Sequence, residues 1–222
     1  MLGLSNAITK ATSIGLQYIK DGLKLYMPYR GSDLTKGTQF VGTGSTSFDG
    51  TNDYVTVADD STIDLDGTGY YTISVWLKAD ADITDTFSIA NKYSSNTGWV
   101  LSIQGTNRLR WETGDGSAVD TTASATDSFS TTIGQWQHCA VAGGGGGKAF
   151  LYIDGILQGS LTSDDDHNTI ALNTATMYIG VGSDGSSYDW NGSMKNFAMW
   201  DRALTATEVQ NVMYKSYAEV RG

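Results

Sequence analysis

The sequence predicts an all-β protein, an antiparallel sandwich or barrel with a helix at each end. Three observations carry that reading. From Leu23 onward, apolar side chains recur at every second position in short runs, the period of a strand with one buried face. Turn residues separate those runs at roughly 8–12 residues, as in sandwiches and barrels. Glycine occurs 27 times and proline once, which suits many tight turns between regular strands.

The elements follow in chain order. Residues 1–22 stand apart as a helical attachment or oligomerisation segment. Leu4, Ile8, Ala11, Leu16 and Ile19 fall near a helical period, with Ser5 placed to cap the start and Gly22 to end it. A helix this short is marginal alone, so its apolar stripe is expected to dock on the sandwich or on another copy of the chain. Residues 23–222 form the β-sandwich unit. "LKLYMPY" reads as an edge strand, since Pro28 cannot donate to a ladder. After a polar loop, "STSFDGTNDYVTV" gives a strand, a turn and a second strand. In "YYTISVWLKAD", Tyr71, Ile73, Val75 and Leu77 alternate with Thr72, Ser74 and Trp76. Further strands are expected at "TFSIANKY", "GWVLSIQG", "NRLRWETG", "QWQHCAVA", "KAFLYIDGILQG", "MYIGVGS" and "GSMKNFAMW". Glycines 143–147 fit the tip of one hairpin, and Asp154-Gly155 is a strong signal for another. A C-terminal helix is predicted over 205–217: Thr205 and Glu208 have capping-box spacing, and Val209, Val212, Met213 and Tyr217 make one apolar face.

Composition excludes several classes of function. A net charge of −10, with no basic run, argues against nucleic acid and against anionic membranes. No segment approaches the roughly 20 apolar residues needed to cross a bilayer, so membrane insertion is not expected. Cys139 is the single cysteine and reads as a small buried hydrophobe, so no disulfide framework exists. Lys10 and Lys20 interrupt the N-terminal segment, which does not read as a Sec signal.

At this point an ordered set of motifs emerges: Phe48-Asp49-Gly50, "YTISVWLK" around Trp76, Trp136-Gln137-His138-Cys139-Ala140, "FLYIDG", and "NGSMKNFAMWDRALTATEV". Together these resemble the laminin G-like, or concanavalin A-like lectin/glucanase, superfamily over about Leu23 to Tyr214. The resemblance implies two curved antiparallel sheets packed as a jelly-roll β-sandwich, with Trp76, Trp136 and Trp200 at core positions and His138 at a structural one. The helical leader, the laminin G-like body and the lack of a cysteine pair also resemble, more loosely, virion proteins of marine bacteriophages.

Three chemistries are weighed on the residues. Glucanases of the superfamily carry paired carboxylates on one strand, and hydrolysis with retention needs two about 5–5.5 Å apart. The chain has three glutamates, and Glu112 has no acidic partner two or four residues away in its strand, so no catalytic residues are assigned. Calcium takes six to eight oxygens from Asp/Asn/Gly loops, and relatives of the fold often hold one. The candidate ligands are Asp49 and Asp53 with Asn52 in one loop, Asp164 and Asp166 with Asp165 and Asn168 in a second, and Asp184 and Asp189 in a third; the competing reading is that such aspartates shape turns. Sugar binding, the family's commonest occupation, needs an exposed ring with Asp or Asn nearby. Trp99, Trp111 and Trp190 fall in or beside strands and read as core, so the candidates are Tyr93 and Tyr188, read as loop residues, with Asn91, Asn96, Asp184 and Asp189 near them.

The expected function is a non-enzymatic decoration protein on a virion surface. Residues 1–22 would attach it to identical copies or to a capsid or tail protein, and the sandwich would adhere weakly to glycans. The alternative is a free carbohydrate-binding module, extracellular without a Sec signal; a glycoside hydrolase comes third.

Overall fold

The computed structural model describes residues 22–27, 39–41, 44–65, 69–105, 107–128, 133–145, 149–158 and 170–221. The predicted N-terminal helix, with Leu4, Ile8, Leu16 and Ile19, lies outside the described residues. The strands are β1 (Leu23–Met27), β2 (Gln39–Val41), β3 (Ser45–Asp49), β4 (Val55–Val57), β5 (Tyr70–Ala79), β6 (Phe87–Ser94) and β7 (Thr97–Gln104). They continue as β8 (Arg108–Asp115), β9 (Val119–Ser128), β10 (Trp136–Gly144), β11 (Phe150–Ile153), β12 (Ile156–Leu157), β13 (Met177–Ile179) and β14 (Asn191–Trp200), before helix α1 (Ala206–Arg221).

They build the antiparallel jelly-roll sandwich. A large sheet runs β12-β11-β10-β5-β14-β3-β2, and a small sheet runs β4-β13-β6-β7-β8-β9. β14 is long enough to pair β3 along its first half and β1 along its second. The segment "STSFDGTNDYVTV" is therefore no hairpin: its turn carries the chain from β3 in the large sheet to β4 in the small one. There Thr51 N–H donates to Asp49 Oδ1 at 2.9 Å and Asp49 N–H to Asp53 Oδ2 at 3.1 Å.

The predicted alternation holds through β5, where Tyr71, Ile73, Val75 and Leu77 face the small sheet across the core. Trp99, Trp111 and Trp190 fill that core, as expected of them, while Trp76, Trp136 and Trp200, expected there too, lie outside it. Trp99 and Trp111 stack with ring centroids 5.5 Å apart, and the Trp111 indole N–H donates across the sandwich to the Tyr71 hydroxyl at 2.9 Å. Trp200 sits on the other face of the large sheet, in a cluster with Ala140, Ala142, Tyr152, Ala198, Leu204 and Val209. Trp136 is only half-buried, with the Lys195 ammonium 4.1 Å above its ring. The reason is parity: Trp76, Trp136 and Trp200 share the register opposite to that of the core residues of their strands.

That second cluster seats α1, whose buried Val209 belongs to it and whose Val212 packs against it. The capping box forms as predicted, with Thr205 N–H donating to the Glu208 carboxylate and Glu208 N–H to Thr205 Oγ1. The helix runs to Arg221 rather than ending at 217, because no glycine or proline interrupts it. β2 and β9 are strands the sequence does not announce: β2 has three residues, and "VDTTASATDS" lacks large alternating apolar side chains.

Two buried polar groups bind the layers. Lys92, on β6, is 2% exposed, and its ammonium has four oxygens in reach of its three N–H groups: Asp59 Oδ1 and Asp64 Oδ1, each at 2.8 Å, Asn173 O at 2.6 Å and Asn173 Oδ1 at 3.3 Å. One cation thus anchors the segment before β5 and the segment before β13 to the middle of the small sheet. His138, on β10, is fully buried with Nε2 at 2.8 Å from Ser74 Oγ, and burial pulls its pKa down from 6.5 to about 3.

Two outcomes are expected. Lys92→Met should lower unfolding free energy by about 3 kcal/mol in urea titrations, the low end for a broken buried pair because water reaches both carboxylates. As pH falls below 6.5, the unfolded chain protonates His138 while the folded chain refuses the proton, so stability drops towards pH 3. From pH 7 to 5 this group should remove about 2 kcal/mol, a loss His138→Gln should abolish.

Candidate functional site

The outer face of the small sheet carries a cleft of about 390 Å³. Strand parity decides what lines it. On β7, Trp99, Leu101 and Ile103 point into the core, so Val100 and Ser102 point out; on β8, Leu109 and Trp111 point in, so Arg110 and Glu112 point out. On β6, Ser88 and Asn91 reach the same outer face although three residues apart, because the ladder shifts register between Ser88 and Ala90. Tyr93 lies two positions further along, on the strand and not in a loop as its sequence context implied.

The side wall is the Gly182–Tyr188 loop. Asp184 organises it: Oδ1 accepts from Ser186 N–H at 2.9 Å and Ser187 N–H at 3.0 Å, and Oδ2 from Ser187 Oγ at 2.8 Å. These bonds, the Ser186 amide first, hold its carboxyl below the usual carboxylate range. Ser88 N–H donates to Tyr188 O at 2.9 Å, fastening the end of the loop to β6. Tyr188 has a φ of 56° and leaves its ring 55% exposed at the cleft mouth.

Of the predicted sugar-binding residues, the structure brings Tyr93, Asp184 and Tyr188 to this one cleft. Asn96 does not line it. With Ser95 it forms the two-residue β6–β7 turn, both residues at positive φ, and its Oδ1 and N–H hold the Tyr93 hydroxyl at 3.2 and 3.1 Å. Asp189 is also outside the lining. Partial burial raises its pKa, and the carboxylates of Asp184 and Asp49 add to the rise.

On the cleft floor, sequence reasoning set Asn91 near the two tyrosines and missed Ser102. Asn91 and Ser102 are each 1% exposed. Asn91 Nδ2 donates to Ser88 Oγ at 2.9 Å and Val181 O at 2.8 Å, while Asn91 Oδ1 and Ser102 Oγ have no hydrogen-bond partner among the described residues. The available signal was "NK" in mid-strand, two polar residues in succession where alternation calls for one. Glu112 was singled out as a lone carboxylate, and here its Oε1 meets Arg110 Nη2 at 2.7 Å. Burial raises its pKa, against the lowering effect of Arg110.

For calcium, the described donors do not fit. Asp49 and Asp53 give oxygens to backbone amides, and no group of three or more His, Cys, Asp or Glu side chains gathers among the described residues. Asp164 and Asp166 lie outside the described residues. A second groove, about 460 Å³ and mostly apolar, opens between Tyr70, Phe150, Leu157 and Leu204 on the outer side of the large sheet.

Asp184→Asn should loosen the wall without unfolding the sandwich. Amide exchange at Ser186 and Ser187 is expected to speed by about fivefold or more, with exchange in β7 unchanged.

A family model described as the concanavalin A-like lectin/glucanases superfamily matches residues 49–210. No curated protein matches the sequence. Among solved structures, the botulinum neurotoxin serotype D binding domain superposes with a TM-score of 0.71 at 18% identity, covering 90% of this chain and 52% of that one. The ligand-binding domain of the same serotype in complex with N-acetylneuraminic acid gives 0.72 at 18% identity, with 90% and 52% covered. The binding domain of Paraclostridial Mosquitocidal Protein 1 gives 0.66 at 18%, with 83% and 47% covered. The chain spans about half the length of these structures, and at such identity the likeness is one of fold. The motif order, the two sheets and the matched residues lead to one conclusion: the chain belongs to the concanavalin A-like lectin/glucanases superfamily.

Proposed function

We propose that the chain is a lectin-like, non-enzymatic binding module and that a saccharide occupies the cleft on its small sheet. The observation that carries this reading is the floor: a buried amide oxygen, Asn91 Oδ1, and a buried hydroxyl, Ser102 Oγ, without hydrogen-bond partners among the described residues. Sugar hydroxyls supply the donors and acceptors these atoms need, and leaving them unpaired is costly. Tyr188 at the mouth and Tyr93 in the wall offer aromatic surface for a pyranose face. The serotype D ligand-binding domain crystallised with N-acetylneuraminic acid is in keeping with a sugar on this fold. The carboxylates support binding over hydrolysis, since Asp184 is engaged by Ser186 and Ser187 and Glu112 by Arg110. Calorimetry with oligosaccharides is expected to show binding without turnover. Tyr188→Ala should weaken it about tenfold while leaving the unfolding midpoint unchanged; an unchanged affinity would remove the cleft from the account.

A second reading adds location: an outward-facing domain on a virion surface, held to identical copies or to a capsid or tail protein through residues 1–21. Support comes from where that segment joins. Gly22 O accepts from Asp201 N–H at 2.8 Å, and the apolar groove beside α1 begins at Ala203 and Leu204. The competing location is extracellular and free. Removing residues 1–21 should abolish self-association or particle incorporation, measured by light scattering and co-sedimentation, and leave sugar binding intact.

A further inference from the structure

The charge arrangement of the cleft bears on which sugars it admits. Among the described residues that line it, three carry charge: Arg110, Glu112 and Asp184. An anionic sugar is recognised by a free cationic fork, usually an arginine whose N–H groups meet the carboxylate in parallel. Arg110 is not free in that sense, because its Nη2 lies 2.7 Å from Glu112 Oε1 on the same strand. Asp184 adds a further negative charge at the side wall, on a chain whose net charge is −10. The floor atoms left to a ligand, Asn91 Oδ1 and Ser102 Oγ, are neutral, and the amide oxygen can only accept. A hydroxyl satisfies that oxygen and a carboxylate repels it.

Building on the saccharide reading above, we propose that the cleft selects neutral sugars and rejects sialylated or uronic-acid ones, the Arg110–Glu112 pair acting as the filter. In this role Glu112 is a specificity-determining residue: it occupies the fork that a sugar carboxylate would need.

The test is an array of neutral oligosaccharides printed beside counterparts carrying one added carboxylate, probed with the intact chain and with Tyr188→Ala and Glu112→Gln. The expected result is retention of neutral members at least tenfold above their acidic counterparts, lost in Tyr188→Ala. In Glu112→Gln, the ratio of acidic to neutral retention should rise about tenfold. Equal or stronger retention of acidic members, still lost in Tyr188→Ala, overturns the neutral preference and leaves the binding cleft standing. No retention of either kind overturns both. If Glu112→Gln does not fold, the salt response of the unaltered chain decides the filter. Raising salt should strengthen any residual acidic binding, because screening relieves like-charge repulsion; weakening with salt overturns the proposal.

Discussion

The hydrogen bond from Trp111 to Tyr71 fixes the relation between the two sheets, and the cleft depends on it. Trp111 is wholly buried on β8 and Tyr71 on β5, with ring centroids 5.3 Å apart, so each indole or phenol edge is satisfied only in one alignment. Strand side chains alternate, and a slip of one residue would carry Glu112 into the apolar core and Trp111 into water. The inward seating of one tryptophan therefore decides that Arg110 and Glu112 face outward together. The same logic runs through β7, where Trp99 and Leu101 in the core leave Val100 and Ser102 for the cleft.

Much of the sandwich was legible because large apolar residues alternate through β5, β7, β8, β10 and β14. What failed to announce itself did so for identifiable reasons. β9 is built of threonine, alanine and serine, which hold a ladder without displaying a hydrophobic period, and β2 is too short for a period at all. Parity along a strand is readable, but which parity faces the partner sheet is not. That is why all six tryptophans read as core residues, while of the six only Trp99, Trp111 and Trp190 lie between the sheets.

The site was legible in part. Tyr93, Asp184 and Tyr188 stood out as polar-flanked residues, yet only the pairing of β13 with β6 sets the Gly182–Tyr188 loop beside Tyr93. Ser102 looks like an ordinary strand polar residue, and only the pairing of β6 with β7 sets it on one floor with Asn91. Asp49, Asp53 and Asp184 accept hydrogen bonds from nearby amides, and Asp59 and Asp64 hold the Lys92 ammonium. Consecutive Asn91 and Lys92 divide the work, the first turned to the cleft and the second to the anchor.

The two sheets differ in how much of them is enclosed. Strands β5, β10 and β14 are buried on both faces, between the shared core on one side and α1 with its neighbours on the other. The small sheet meets the core on one face only, and its other face opens into the cleft. Genetic drift therefore meets unequal resistance in the two layers. Substitutions at Val100, Arg110 or Glu112 reshape an open lining without touching the core, while the opposite layer, hemmed in twice, holds the architecture in place.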